Sequence, residues 1–370
     1  MLNYEFPPIG GGTGIANYQL LKEFSKNTNL EIDLVTSGSN GFEVEHLSEK
    51  IRVFKLGIRK QDLHFWRMSE IVSWTWKAYW FSKKLVFESR YDVCHCWSGW
   101  PSGVIGYLFR KRVPYIIGLR GSDVPGYNER IRLLDMLVFK FLSRVIWRNA
   151  RAVTALSDNL RKLAYRTFKE KNIKIIYNGI DTTIFGSVIE APKSDIQIVF
   201  VGRLIKRKGV IDLLKAFKEV SDLYSDCKLT IVGEGPERTR LENYCRQARL
   251  DSKVNFLGAV PHEEISTVYQ KASIFVLPSL AESLGNVIQE AIASGLPVIT
   301  TNTGAAELLD ENGFIVEKGD YIQIKKAIME YIGDPELLRI HSKRSREIAD
   351  KMSWDNAAKA YLEIYNGIIW

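Results

Sequence analysis

The stretch Ser273-Ile-Phe-Val-Leu277-Pro278-Ser-Leu-Ala-Glu282-Ser-Leu-Gly285-Asn286-Val-Ile-Gln-Glu290 holds an apolar run, a turn and the opening of a helix in direct succession. Ser273 to Leu277 reads as a buried strand, and Val287, Ile288 and Ala291 continue at helical spacing up to Ala293. A helix that opens at a glycine beyond a strand places unpaired backbone N–H groups and a positive dipole end at the carboxyl edge of a sheet, which makes a seat for an anion. Glu290 lies four residues after Asn286 and shares its helix face, while Glu282 projects from the preceding loop. Two carboxylates beside an anion seat need a partner other than the anion, and neutral hydroxyls supply charge-assisted donors. The alternative is two surface glutamates on an ordinary helix.

The same grammar repeats outward. In the second half, Ile196 to Val201, Leu229 to Val232, Val254 to Leu257, Ile274 to Leu277 and Pro297 to Thr301 read as strands. The helix with Val210, Leu213, Leu214 and Phe217 follows the i, i+3, i+4, i+7 pattern. The first half gives Ile32 to Thr36, Arg52 to Leu56, Asp92 to Trp97, Tyr115 to Leu119, Ala152 to Leu156 and Lys174 to Tyr177. Strand-helix alternation predicts two α/β units with parallel sheets and ligands at the carboxyl ends of the strands. Their linker is placed at Thr183 to Asp195, where Gly186, Pro192 and Ser194 interrupt the periodicity.

Gly202-Arg203-Leu-Ile-Lys206-Arg207-Lys208-Gly209 follows the strand Ile196 to Val201 and opens a helix, so it reads as a diphosphate clamp. Arg203 offers a planar fork and Lys208 a mobile point charge; Lys206 and Arg207 read as solvated cations. Near the N-terminus, Phe6-Pro7-Pro8-Ile-Gly10-Gly11-Gly12-Thr13-Gly14 precedes a helix. Its spacing is not the dinucleotide fingerprint, and close backbone approach to a ligand competes with a plain glycine turn. Cys94-His95-Cys96 reads as strand structure, since His95 faces away from the two thiols.

The 370 residues suit two domains. The net charge of +8 is uneven, with 28 Lys+Arg against 18 Asp+Glu up to residue 190, and 23 against 25 beyond it. Only the first half invites an anionic partner. Four scattered cysteines suggest a reducing cytoplasm. No signal peptide and no run of about 18 apolar residues is seen, so a soluble or peripheral protein is expected. Phe65, Trp66, Trp74, Trp76, Tyr79, Trp80, Phe81 and Phe87 interleave with Arg67, Lys77, Lys83 and Lys84, the composition of a bilayer-interface helix. Lys140, Arg144 and Arg148 recur every four residues beside Leu137, Phe141 and Val145, which favours anionic lipid; a packed interdomain face is the alternative. No nucleic-acid-binding module is recognised, so nucleic acid is not expected as a partner.

Taken together, the Pro-Pro-x-Gly-Gly-Gly loop, Tyr177-Asn178-Gly179-Ile180-Asp181, Val201-Gly202-Arg203 with Lys208-Gly209, Ile231-Val232-Gly233-Glu234-Gly235-Pro236, Leu257-Gly258 and the Glu282/Glu290 pair spaced as E-x7-E resemble the retaining nucleotide-sugar glycosyltransferases of family 4. The resemblance implies a GT-B fold. Residues 1–185 would form an N-terminal acceptor-binding Rossmann-like domain and 196–352 a C-terminal donor-binding Rossmann-like domain. A deep cleft would separate them, and a helix within 353–370 would cross back to the first domain.

By position, Arg203 and Lys208 would hold the donor diphosphate and stabilise the leaving group, assisted by the Gly285 and Asn286 amides. Glu290 would hold ribose hydroxyls, Glu282 the donor sugar, and Gly11 and Gly12 would pass near the phosphates. No metal and no cofactor is implied; the donor would be a UDP- or GDP-sugar and the acceptor a glycan or polyprenyl-linked hydroxyl at the cytoplasmic membrane face.

Many relatives carry His before Gly where this chain has Arg120-Gly121. Arg120 would orient groups or neutralise charge, with His95 near the same space. Asp123 is the preferred acceptor-side residue, with Ser122 behind it, against a capping role for both. Only Met1 to Glu5 precede the Pro-Pro turn, where the resemblance leads one to expect a full strand. Two other readings are a nucleotide-sugar epimerase on the same scaffold and a catalytically silent sugar-nucleotide-binding subunit.

Overall fold

The computed structural model describes the chain apart from residues 28, 40, 64, 128–137, 182–183, 187–195, 262–263, 283–284 and 370. Two compact units result, one of Met1–Gly179 with Trp354–Trp370, the other of Ile180–Ser353. The division falls before residue 185, because Ile180 N–H donates to Met352 O at 2.9 Å and Phe185 packs 6.0 Å from the Tyr269 ring. Most of the expected linker, and Leu137, Ser283 and Leu284, lie outside the described residues.

In the first unit the strands are β1 Ile32–Gly38, β2 Phe42–Ser48, β3 Ile51–Gly57, β4 Cys94–Cys96, β5 Tyr115–Leu119, β6 Ala152–Ala155 and β7 Ile173–Ile175. The helices are α1 Gly12–Phe24, α2 Met68–Glu88, α3 Ser102–Phe109, α4 Lys140–Asn149 and α5 Asp158–Tyr165. Strand orders β1-β3-β2 and β4-β5-β6-β7 are joined by Leu2, which bridges Val35 on one side and Cys96 on the other. These are isolated bridges, held by Leu2 N–H on His95 O (2.9 Å) and Trp97 N–H on Leu2 O (2.8 Å).

Both faces of this sheet are apolar, as parallel strands under helices require. Tyr115, Ile117 and Leu119 point into a core with Trp74, Ile105 and Trp147, from α2, α3 and α4. Ile116 faces the other way, into a core with Leu20 and Phe24 of α1 and with Tyr361 and Tyr365. Those tyrosines belong to the last helix, Trp354–Ile369, which therefore packs on the first unit. Gly179 is what lets it start there, since a Cβ would fall 2.3 Å from Trp354 Cα. One element departs from the all-parallel expectation: β2 pairs antiparallel with β3 as an exposed edge hairpin.

The second unit has β8 Gln197–Val201, β9 Lys228–Val232, β10 Val254–Gly258, β11 Ile274–Leu277, β12 Val298–Thr301 and β13 Gly313–Val316. Its helices are α6 Val210–Leu223, α7 Arg238–Gln247, α8 Ile265–Lys271, α9 Asn286–Ala293, α10 Tyr321–Gly333 and α11 Pro335–Lys351; the last helix of the chain, Trp354–Ile369, is α12. The order is β10-β9-β8-β11-β12-β13, every pair parallel. Chain order reverses between β8 and β11, so the loops leaving them meet at the switch point where open α/β sheets bind ligands.

No helix among the described residues is long and apolar enough to cross a membrane. Nor do three His, Cys, Asp or Glu side chains gather there as a metal-ligand set. The α4 cation stripe is partly spent within its own unit, with Arg144 Nε donating to Thr167 O at 2.6 Å and Arg148 Cζ 5.8 Å from the Phe168 ring centroid.

Candidate active site

β8 ends at Val201, and the chain then turns through Gly202 and Arg203 into a short 3-10 turn, Lys206–Lys208, before α6. Gly209 caps α6 at φ 65°, and a Cβ there would lie 2.1 Å from Pro278 O, so only glycine lets this loop touch the loop that leaves β11. Leu280 N–H completes the seam by donating to Arg207 O at 2.8 Å. The β8–β11 adjacency thus places the two expected anion seats side by side.

Across the seam, the Lys208 ammonium pairs with the Glu282 carboxylate, and both side chains are about nine-tenths buried. Ser279 Oγ donates to the same carboxylate at 3.4 Å, and Gly304 N–H to the Glu282 carbonyl at 3.1 Å. Arg203 is exposed and has no ion-pair partner among the described residues. Gly285, at φ 77°, forms the N-cap of α9, with Asn286 as its first residue. One turn on, Glu290 accepts from Tyr269 Oη at 2.9 Å. Burial, and then the Glu290 charge, push the Tyr269 hydroxyl well above its ordinary pKa, so it remains a donor.

Two contributors escaped the sequence reading. Tyr269 sits mid-helix in α8, where it reads as core. The turn after β12 reaches Glu282 through Gly304, and Thr303-Gly304 after an apolar strand is the signal that could have found it.

In the first unit, the chain order reverses between Leu2 and β4, and the Gly-rich loop leaves the sheet there. Gly11 caps α1 and Gly12 opens it; both are exposed, and a Cβ on Gly11 would meet nothing within 4 Å. Glu5 Oε2 accepts weakly from Gly11 N–H at 3.4 Å.

Beyond β5, Asp123 accepts from three backbone N–H groups, those of Gly99 (2.6 Å), Arg120 (2.9 Å) and Gly121 (2.8 Å). Burial outweighs these bonds and lifts its pKa above the usual carboxylate range. The carboxylate ties the β4 and β5 loops together. Burial, and then the nearby Glu5 and Asp123 charges, push the Tyr4 hydroxyl well above its ordinary pKa, with Ser122 beside it.

Arg120 turns inward. Its guanidinium lies 3.4 Å from the Trp97 ring centroid and donates to Asn178 Oδ1 (3.1 Å) and Tyr361 Oη (3.2 Å). His95 is nearby, with Nδ1 2.7 Å from Tyr365 Oη. The sequence-predicted residues therefore form two groups: Lys208, Glu282, Gly285, Asn286, Glu290 and Arg203 at the second unit's switch point, and Gly11, Gly12, Asp123 and Arg120 in the first. A groove of about 620 Å³ near Phe87, Arg90 and Arg112 lies at the opposite, amino-terminal edge of the first sheet and is no part of either.

Known proteins match this architecture. Residues 10–184 match the family described as Glycosyltransferase Family 4, and residues 181–348 match Glycosyl transferases group 1. The chain is 27% identical to an uncharacterized glycosyltransferase of Methanocaldococcus jannaschii, over 99% of this chain and 97% of that one. It is 23% identical to N-acetyl-alpha-D-glucosaminyl L-malate synthase of Bacillus anthracis, over 98% and 95%. Among solved structures, sucrose-phosphate synthase from Thermosynechococcus elongatus superposes with a TM-score of 0.82 at 22% identity, over 97% and 94% of the two chains. Anabaena HepE, in complex with UDP and glucose, gives 0.74 at 18% identity, over 99% and 98%. The two family matches, the relatives and the shared architecture together establish that this chain belongs to the family 4, group 1 glycosyltransferases and is a transferase of GT-B fold.

Proposed function

We propose that the chain is a retaining, metal-independent hexosyltransferase that moves a sugar from a UDP- or GDP-linked donor to a hydroxyl of a glycan or lipid-linked acceptor, in the assembly of an envelope polysaccharide. The observation that carries this reading is the meeting of Lys208, Glu282 and the start of α9 at the β8/β11 switch point, with Arg203 exposed on the same β8 loop. Arg203 and the α9 amides take the diphosphate, and Lys208 moves from Glu282 onto a phosphate oxygen as the anomeric bond ionises. Released from Lys208, Glu282 accepts from donor-sugar hydroxyls, while Glu290 accepts from the ribose. Two cations and a helix start supply the positive charge that a divalent ion provides elsewhere, so the reading needs no metal. Departure and attack on one face give retention without a carboxylate nucleophile.

A UDP-linked donor is the first to test, because the HepE structure holds UDP and glucose. Incubation with UDP- and GDP-hexoses in chelator, with and without oligosaccharide and polyprenyl-phosphate sugar acceptors, should release UDP or GDP, and NMR should show the donor's anomeric configuration in the product. Isomerised donor without nucleotide release would identify an epimerase, and binding without either change a silent subunit; both outcomes overturn the reading.

A further inference from the structure

We propose that α2 and the end of α3 form an interfacial docking face for a bilayer that contains anionic lipid. On its inner side α2 buries Trp74, Ala78 and Ser82. Its outer side carries Val72, Trp76, Trp80 and Phe87, spaced four, four and seven residues apart, which places them on one stripe of the helix. These are large apolar groups left in water: Trp76 is 65% exposed, Phe87 57% and Trp80 49%. Phe65 and Met68 extend the stripe at its start and are exposed as well. Soluble proteins scatter exposed apolar residues singly, whereas a contiguous row marks a surface that is covered in use.

Charge identifies the cover. From Lys77 to Arg112 the chain has seven Lys or Arg and two Asp or Glu. Lys83 Nζ lies 4.8 Å from the Trp80 ring centroid, and Arg112 Cζ lies 3.7 Å from that of Phe87, so cations are layered onto the aromatic row itself. Lys84 meets Glu88 only at 3.9 Å and in the open, a pair too weak to neutralise it. Tyr79 stacks on Phe109 at 5.3 Å, bringing Arg110 and Lys111 at the end of α3 up beside α2.

A second copy on the same face would set these cations against their own kind, as a two-fold contact pairs a patch with itself. A nucleic acid matches the charge but leaves Val72 and Met68 without apolar cover. An anionic bilayer satisfies both, with indoles and aliphatic groups at the acyl boundary and Lys and Arg at the headgroups. The inference is independent of the donor chemistry proposed above and extends the reading with a surface for the enzyme to work on.

The test is co-sedimentation of the full chain with vesicles of phosphatidylcholine, with and without about 30% phosphatidylglycerol. The wild type should pellet with the anionic vesicles and not with pure phosphatidylcholine. The Trp76→Ser/Trp80→Ser variant should partition at least about tenfold less, and Lys83→Glu/Lys84→Glu should lose the anionic preference, each with unchanged thermal stability and donor turnover. Phe141→Ser, which removes an exposed aromatic from α4, should sediment as the wild type. No wild-type sedimentation, or equal sedimentation of the tryptophan variant, overturns the proposal. So does a dimer that the tryptophan variant dissolves, or tighter retention on an oligonucleotide than on vesicles.

Discussion

The Lys208 ammonium and the Glu282 carboxylate close an ion pair across the loops that leave two neighbouring strands, 74 residues apart in sequence and both about nine-tenths buried. In a parallel sheet such loops meet only when their strands are adjacent, so the pair is a direct product of the β8–β11 pairing. Each charge is the other's compensation, and on the proposed reading an incoming anion would redistribute charge already in place.

Removing either partner alone strands a buried charge. Lys208→Ala should retain the fold but lower stability by about 3–5 kcal/mol, and it should abolish sugar transfer. Lys208→Met/Glu282→Leu should recover much of the lost Tm and none of the activity. A double variant no more stable than the single ones would show that the pair is not coupled.

Gly209 is held at φ 65° against Pro278 O. Gly209→Ala should cost more than about 2 kcal/mol, from the left-handed backbone and the forced separation of the two loops. Thermal unfolding checks the cost, and nucleoside diphosphate affinity should fall with it. An alanine variant with wild-type Tm and affinity would refute the close approach.

Tyr269 fixes Glu290 through one hydrogen bond. Tyr269→Phe should raise the donor KM several-fold, in line with about 1 kcal/mol for such a bond, and leave kcat nearly unchanged. Loss of kcat with constant KM would place Glu290 at the reacting centre instead.

Burial, with the Arg120 cation beside it, holds the His95 imidazole well below its ordinary pKa. Folded His95 stays neutral while the unfolded chain takes up a proton below about pH 6.5. Its contribution is therefore complete above that pH and is lost as the pH falls, at up to about 1.4 kcal/mol per pH unit. His95→Phe should flatten the fall in stability between about pH 6.5 and 5 seen for the wild type. Equal pH slopes for the two proteins would argue against a neutral buried imidazole.

The α/β alternation was legible because central parallel strands such as Ile274–Leu277 are buried on both faces and read as unbroken apolar runs. The exposed edge strand does not. Phe42–Ser48 is mostly exposed, and Glu43, Glu45 and His46 interrupt its apolar residues. Leu2 joins the sheet through isolated bridges, which carry no period. Within the candidate site, residue types at strand ends were legible, whereas the partner of Lys208 depended on strand order. The Asp123 carboxylate illustrates the limit most sharply: its three backbone donors come from two loops, and only Arg120 and Gly121 are its sequence neighbours. Arg120 likewise finds Asn178 and Tyr361, which lie 58 and 241 residues away.

The central claim is that cations and backbone amides at the β8/β11 switch point grip a nucleoside diphosphate unaided by a divalent ion. Calorimetric titration of UDP and GDP in excess chelator tests it most directly, using the wild type, Arg203→Ala and Lys208→Ala. The account predicts one site on the wild type and affinity at least about tenfold weaker in each variant, as loss of a charge-assisted bond requires. Binding that vanishes with the chelator, or variants that bind as tightly as the wild type, would contradict it.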